Sequence, residues 1–111
     1  MGETLQYEDG GEYTGHIDDN NKRHGKGQMV YADGSSYNGN FVNDLRDGNG
    51  SFEDAKGQKY YGGWSEDKRV GVHTLTKSNG HVVSVVEING EDVELQKEPL
   101  LTPQFTGTKR Y

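Results

Sequence analysis

Rings and glycines alternate with polar side chains in short stretches of this chain. Tyr37, Gly39 and Phe41 are separated by single asparagines, and the glycines and ring of residues 48–52 alternate with polar residues in the same way. A period of two residues is typical of a strand with one buried face. The polar residues 43–47 between the two stretches have the composition of a turn. The pattern therefore predicts an antiparallel hairpin whose rings and glycines share one face.

The same hairpin pattern recurs along the chain at an interval of 23 residues. After the hairpin at Tyr37 its landmarks return as Tyr60, Gly62, Trp64, Arg69, Gly71, Leu75 and Gly80, and before it they occur as Arg23, Gly25, Gly27, Met29 and Gly34. The first half of the earliest copy, Tyr13, Gly15 and Ile17, lies at 24 because one residue is inserted within 18–22. Self-similarity at such a period indicates a repeat protein. We expect the function of such a chain to reside in a surface rather than in a catalytic pocket.

The two ends of the chain depart from the repeat. Residues 5–10 match residues 29–34 at an offset of 24, so the chain begins on the second strand of an incomplete unit. This start fits either a half-repeat cap or a fragment of a longer array. Near the other end, Asn89-Gly90 between strand-forming residues is a strong hairpin signal, and we expect this hairpin to cap the open edge. The predicted organisation is a half-repeat at 1–12, repeats at 13–36, 37–59 and 60–82, a capping hairpin at 83–98 and an extended tail at 99–111.

The composition favours a folded chain with shallow burial. Only 29% of the residues are hydrophobic and the mean hydropathy is -1.03, values that alone would suggest disorder. However, seven Tyr, three Phe and one Trp carry large buried areas, and many of the 17 glycines lie beside rings on the same face. A glycine there allows a ring to lie flat against backbone. We therefore predict an all-β chain that forms a single-layer antiparallel sheet of consecutive hairpins.

Net charge, apolar runs and cysteine content exclude several classes of function. The net charge of -6 argues against nucleic acid as a partner and against delocalised attraction to anionic membranes. No apolar run approaches the ~18 residues of a membrane span, and the polar residues 1–10 do not resemble a signal peptide. The chain contains no cysteine, which excludes disulfides and thiolate metal sites. We expect a cytoplasmic protein that does not cross a membrane.

The repeated motif resembles a known family. Tyr-x-Gly-x-aromatic, a turn rich in basic residues, Gly-x-Gly and Asp-Gly are together similar to the MORN repeat. The unit from Tyr13 to Gly34 is the clearest, although Ile17 replaces the usual aromatic residue, and in the third unit His73 replaces the second glycine. The resemblance covers three units up to about Gly80.

The resemblance implies an elongated, twisted sheet with a groove along one face. It also implies scaffolding or adaptor roles at cytoskeletal structures, in ciliary axonemes and radial spokes, and at membrane junctions. Some members attach the repeats to an enzyme, but here we expect no catalytic domain. The expected protein is a non-enzymatic scaffold or adaptor that is associated with the cytoskeleton or a cilium.

An aromatic stripe is the first candidate site. Its members share one register position or one face of the predicted hairpins: Tyr13, Ile17, Tyr37, Phe41, Tyr60 and Trp64. Tyrosine and tryptophan are favoured interface anchors, so the stripe could hold a helix or an extended segment of a protein partner. The alternative is that these rings are simply the core. In a one-layer sheet the core is one side of an open face, and we predict the stripe to be the binding surface.

A row of arginines is the second candidate site. Arg23, Arg46 and Arg69 recur at 23 residues, which would place their charges about 10 Å apart along one edge of the sheet. Such a row could bind acidic residues of a partner or the phosphates of phosphoinositide lipids, which would make the protein a membrane-associated tether. The alternative is a solvated turn, in which nearby aspartates, Asp19, Asp44, Asp47 and Asp67, largely neutralise the arginines.

Signatures of metal sites and enzymes fail on inspection. The four histidines, His16, His24, His73 and His81, match no zinc spacing, and we expect them to be structural or exposed. Gly25-Lys26-Gly27 lacks the remaining residues of a phosphate-binding loop. The sequence predicts no metal site, no cofactor and no catalytic residue.

Overall fold

A computed structural model describes residues 3–95 of the chain, which form one open antiparallel sheet. Nine strands follow one another in sequence order without a crossover: β1 (Glu3–Gln6), β2 (Glu12–Ile17), β3 (Arg23–Val30), β4 (Ser36–Val42), β5 (Leu45–Glu53), β6 (Lys59–Ser65), β7 (Lys68–Thr76), β8 (Val82–Ile88) and β9 (Glu91–Leu95). The sheet measures 62 × 27 × 25 Å. The prediction of an elongated, single-layer, all-β sheet is confirmed. The predicted tail at 99–111 lies outside the described residues, as does the end of the predicted capping hairpin.

Two-residue turns join the strands along one edge of the sheet. Asn43-Asp44, Glu66-Asp67 and Asn89-Gly90 all have positive φ at both residues, between 49° and 84°. These values are typical of type I′ turns, whose twist matches the right-handed twist of the strands. The first turn on this edge, residues 18–22, contains the inserted residue and is longer than the others. The Asp18 carboxylate accepts hydrogen bonds from two backbone amides there.

The predicted turn at residues 43–47 is shorter than expected. Leu45 already begins β5, so Arg46 lies in a strand and not in a turn. A type I′ turn needs only two residues outside the ladder, and therefore the remaining polar residues continue the sheet. On the opposite edge each turn closes with a glycine in the left-handed region: Gly10, Gly34, Gly57 and Gly80 have φ between 93° and 100°, which glycine adopts without steric cost.

Only one face of the sheet is buried. The hydrophobic core consists of residues of that face with no more than 6% exposure: Tyr13, Met29, Tyr37, Phe41, Trp64, Leu75 and Val85. We call this side the ring face. On the opposite face a cross-strand row of mostly small polar residues runs from Thr4 to Ser84 through Asn38 and Tyr61. Within residues 3–95 no helix is long and apolar enough to cross a membrane.

Candidate functional site

Each of the first two repeats seats a tyrosine on bare backbone. The ring of Tyr37 covers Gly50 so closely that a side chain at Gly50 would overlap it. Its hydroxyl donates a hydrogen bond to the carbonyl of Asn40, 2.9 Å away, and burial raises the pKa of Tyr37 to about 12. Tyr13 lies on Gly27 in the same way and donates to the carbonyl three residues further on, at 2.6 Å. Glycine is therefore required opposite each ring.

A chain of edge-to-face contacts joins the repeats through their rings. Tyr13 contacts Phe41, Phe41 contacts Tyr37, Tyr37 contacts Trp64, and Trp64 contacts His73, with ring centroids 5.1–5.5 Å apart. The interplanar angles lie between 80° and 87°, an arrangement worth about 0.5–1.5 kcal/mol per pair beyond burial. The core of this open sheet is thus continuous from one repeat to the next.

The arginines clamp successive repeats together. Arg23 donates from Nε to the carboxylate of Asp44 at 2.7 Å and from Nη2 to the Asp44 carbonyl at 2.6 Å. Arg46 makes the same pair of contacts with Asp67, at 2.6 and 3.0 Å. Burial opposes ionisation of Asp44, but hydrogen bonds from Arg23 outweigh it and lower the pKa of that carboxyl. Each guanidinium is therefore already engaged by a carboxylate of the following repeat.

The same guanidiniums lie over the rings. Arg46 is 4.6 Å from the centroid of Trp64, and Arg69 is 4.7 Å from that of Tyr60. The side-chain exposure of the three arginines is only 17–19%. The expected location in a solvated turn is wrong, because each arginine lies on a strand of the ring face where its flat guanidinium covers aromatic surface. The neutralisation that this alternative expected is found at Asp44 and Asp67, which pair with Arg23 and Arg46. A binding role for Arg23, Arg46 and Arg69 stays a prediction.

The third repeat departs from the first two at His73. This residue stands where the earlier repeats have Gly27 and Gly50, and its imidazole lies against Gly62. His73 Nε2 is 2.8 Å from the carbonyl oxygen of Gly63. In the first two repeats the equivalent carbonyl accepts a hydrogen bond from a tyrosine hydroxyl. A carbonyl only accepts, so Nε2 carries the hydrogen. The imidazole thus replaces the tyrosine both on the backbone and as the donor.

Tyr60 consequently occupies a different place from Tyr13 and Tyr37. It is partly exposed, whereas the other two are fully buried. Together with Phe52 and Trp64 it lines a cleft of about 590 Å³ on the ring face. Arg46 and Arg69 flank the cleft, and the other charged residues that line it are Asp54, Asp67, Lys68 and Glu87.

His73 makes the stability of the fold depend on pH. Burial, with a smaller contribution from the nearby Arg69, lowers the pKa of His73, and the hydrogen bond to Gly63 and the charge of Asp92 oppose this only in part. Its Nδ1 is buried and has no hydrogen-bond partner among the described residues, so a proton there would be unsatisfied. Below pH ~6.5 His73 binds a proton in the unfolded chain, whereas in the folded chain it stays neutral until the pH reaches its lowered pKa.

We expect the free energy of unfolding to fall as pH drops from 6.5 toward the lowered pKa of His73, with a limiting slope of about 1.4 kcal/mol per pH unit. Urea denaturation at pH 7.5, 6.5 and 5.5 measures this slope. In the His73→Gln variant the slope over this range should be smaller, because glutamine does not titrate. Equal slopes in the two proteins would show that the pKa of His73 is not lowered in the folded state.

The structure separates the six residues of the aromatic stripe into two groups. Tyr13, Tyr37 and Phe41 are at most 1% exposed and Trp64 is 6% exposed, so these rings form the core. Ile17 and Tyr60 remain partly accessible. A fully buried ring offers a partner little surface, whereas a partly exposed one can be contacted directly. A binding role for the stripe stays a prediction.

Two partly exposed rings of this face were not among the candidate site residues. Phe52 and Tyr31 are partly exposed and pack against the buried rings. Phe52 falls on the 23-residue period with Met29 and Leu75, which marked it as a face residue. The aspartates of the clamp carried a signal as well, because Asp44 and Asp67 each follow an arginine by 21 residues.

The comparison with known proteins agrees with the repeat pattern. The model of the MORN repeat matches residues 19–36, 37–59 and 60–82, more than half of the chain. The first matched segment begins at residue 19, although Tyr13 on β2 occupies the same place as Tyr37 on β4. No curated protein matches the chain.

Proposed function

The chain belongs to the MORN-repeat family, and from that premise we propose that it is a non-catalytic scaffold or adaptor that holds a protein partner along its ring face. The observation that carries the proposal is the cleft at the third repeat, where Phe52 and Tyr60 stay accessible after the core is formed. Accessible aromatic side chains on a rigid sheet are favoured anchors for protein partners.

The charges of the ring face support a protein partner over a lipid tether. The phosphates of a lipid would need guanidinium groups, yet Arg23, Arg46 and Arg69 are each engaged by a carboxylate and covered in large part. The net charge of -6 would also oppose approach to an anionic membrane. Among the described residues no observation favours the lipid tether.

We also propose that the protein and its partner belong to a cytoskeletal or ciliary assembly. This part rests on resemblance to the family. A rod 62 Å long with repeated contacts along one face suits a spacer or adaptor in such an assembly. Localisation of the tagged protein in ciliated cells, with diffuse cytoplasmic signal as the contrary result, tests it.

Neighbouring tyrosines on opposite faces allow a direct test of the binding face. Tyr60 lies in the cleft and Tyr61 lies on the opposite face, 56% exposed. We expect a photo-crosslinking amino acid at position 60 to capture a protein from an extract of cells that express the chain. The same amino acid at position 61 should not capture it. Equal capture from both positions, or capture from position 61 alone, would contradict the proposal.

A further inference from the structure

We propose that the cleft of the third repeat anchors an apolar side chain from a basic segment of the partner, and that His73 is the residue that opens this cleft. The inference rests on the proposed function and adds the chemistry of the partner to it. Three features of the described residues carry it: the exchange at position 73, the apolar floor of the cleft and the unequal exposure of its charges.

The exchange at position 73 creates the cleft. In the second repeat the ring of Tyr37 fills the space over Gly50 and makes the hydrogen bond to its own strand. In the third repeat His73 fills the equivalent space and donates to the equivalent carbonyl. Tyr60 is thereby excluded from the backbone site, and its ring becomes a wall of the cleft instead of a part of the core.

The aromatic lining of the cleft suits one large apolar side chain. Phe52, Tyr60 and Trp64 line it, and the first two are partly exposed. A volume of about 590 Å³ lies within the ~300–1,000 Å³ range of pockets that enclose a ligand. Insertion of an apolar group would remove aromatic surface from water without breaking any hydrogen bond described above.

The charges that border the cleft favour a basic partner. Arg46 and Arg69 have side-chain exposures of only 18% and 19%, whereas the carboxylates bonded to them at Asp67 and Glu87 are 48% and 44% exposed. The neighbouring hairpin, residues 82–95, contains four acidic residues and no basic one. Lys68 is an exposed cation at the cleft, but the carboxylates of Asp54, Asp67 and Glu87 outnumber it. A partner therefore meets a mainly acidic rim around the apolar floor. Lysine or arginine beside the apolar anchor would match this rim, and an acidic segment would be repelled.

Selection from a displayed library of random 12-residue peptides against the full chain tests the proposed chemistry. We expect enriched peptides to combine one large apolar or aromatic residue with flanking lysine or arginine. Their affinity should fall as salt increases, because exposed charges are screened. Enrichment of acidic peptides that bind through Tyr60 would overturn this inference and leave the proposed function standing. If no enriched peptide depends on the ring face, the proposed function fails as well.

Three variants assign the binding of a selected peptide to the cleft. Tyr60→Ala removes a wall, and His73→Gly frees the backbone site so that Tyr60 can return to it. Each should weaken binding about tenfold or more, in the range of an interface hot spot. Circular dichroism of both variants checks that the sheet is retained. Tyr61→Ala is the matched control on the opposite face and should leave the affinity unchanged. Unchanged affinity in Tyr60→Ala, or competition of the peptide by phosphoinositide vesicles, would overturn the inference.

Discussion

The Gly39→Val variant is expected to lose about 3 kcal/mol of unfolding free energy, the upper end of the usual cost of overpacking. A Cβ at position 39 would lie 2.5 Å from the Cα of Gly50, 2.6 Å from the carbonyl oxygen of Asn49 and 2.7 Å from the hydroxyl of Tyr37. Two of these atoms belong to the backbone of the neighbouring strand. They cannot move aside without separating β4 from β5 and lifting the Tyr37 ring from its site. Urea denaturation followed by circular dichroism measures the loss.

Asn38→Val is the matched control for this prediction. Asn38 precedes Gly39 on the same strand but is exposed on the opposite face. Both variants place a β-branched residue on the same strand, so a much larger loss at position 39 reports the close contact on the ring face. We expect Asn38→Val to change the unfolding free energy by less than about 0.5 kcal/mol. Equal losses in the two variants would contradict the packing of Tyr37 on Gly50.

The strands and turns of this fold follow from local sequence. The alternation of aromatic residues and glycines with polar residues determines which side chains share a face. The same alternation recurs every 23 residues along the chain. Turn residues such as Gly34 and Asn89-Gly90 act through their own backbone preference for positive φ. Both effects depend on residues close in sequence, and therefore the all-β repeat architecture could be predicted without coordinates.

The role of the arginines could not be predicted in the same way. Period and spacing placed Arg46 near the edge of the sheet, where a solvated turn and a binding row were both reasonable. The choice depends on where Asp67 and the ring of Trp64 lie in the next repeat. That position is set by the twist and register between hairpins, which alternation within one hairpin does not determine.

The division of the stripe into core and surface also depended on three-dimensional packing. The sequence marked Tyr37 and Tyr60 as equivalent, and it marked His73 only as a departure from the repeat. The consequence of that departure comes from a contact between neighbouring strands, in which one ring excludes another from the space above Gly62. A single substitution thus transfers a tyrosine from the core to the surface without changing the strand that carries it.

Trp64→Ala is expected to lower the unfolding free energy by about 3–5 kcal/mol, the usual range for removal of a large buried ring. Trp64 is 6% exposed and is in edge-to-face contact with both Tyr37 and His73. Its indole Nε1 donates to the carbonyl of Gly50 at 3.3 Å, and the guanidinium of Arg46 lies over the ring. Alanine would remove all four contacts at the junction of the second and third repeats. Because Trp64 is the only tryptophan of the chain, circular dichroism must follow the unfolding of this variant.

Comparison with two further variants shows whether the effect comes from burial of the ring at this junction. Trp64→Phe keeps an aromatic ring but lacks the donor to Gly50. It should therefore lower the free energy of unfolding by less than Trp64→Ala does. Tyr61→Ala removes an exposed ring from the opposite face and should cost less than about 1 kcal/mol. An unchanged melting temperature in Trp64→Ala would show that the indole is exposed in solution. Such a result would remove the basis for a continuous aromatic core, since Trp64 is the ring that connects the first two repeats to His73.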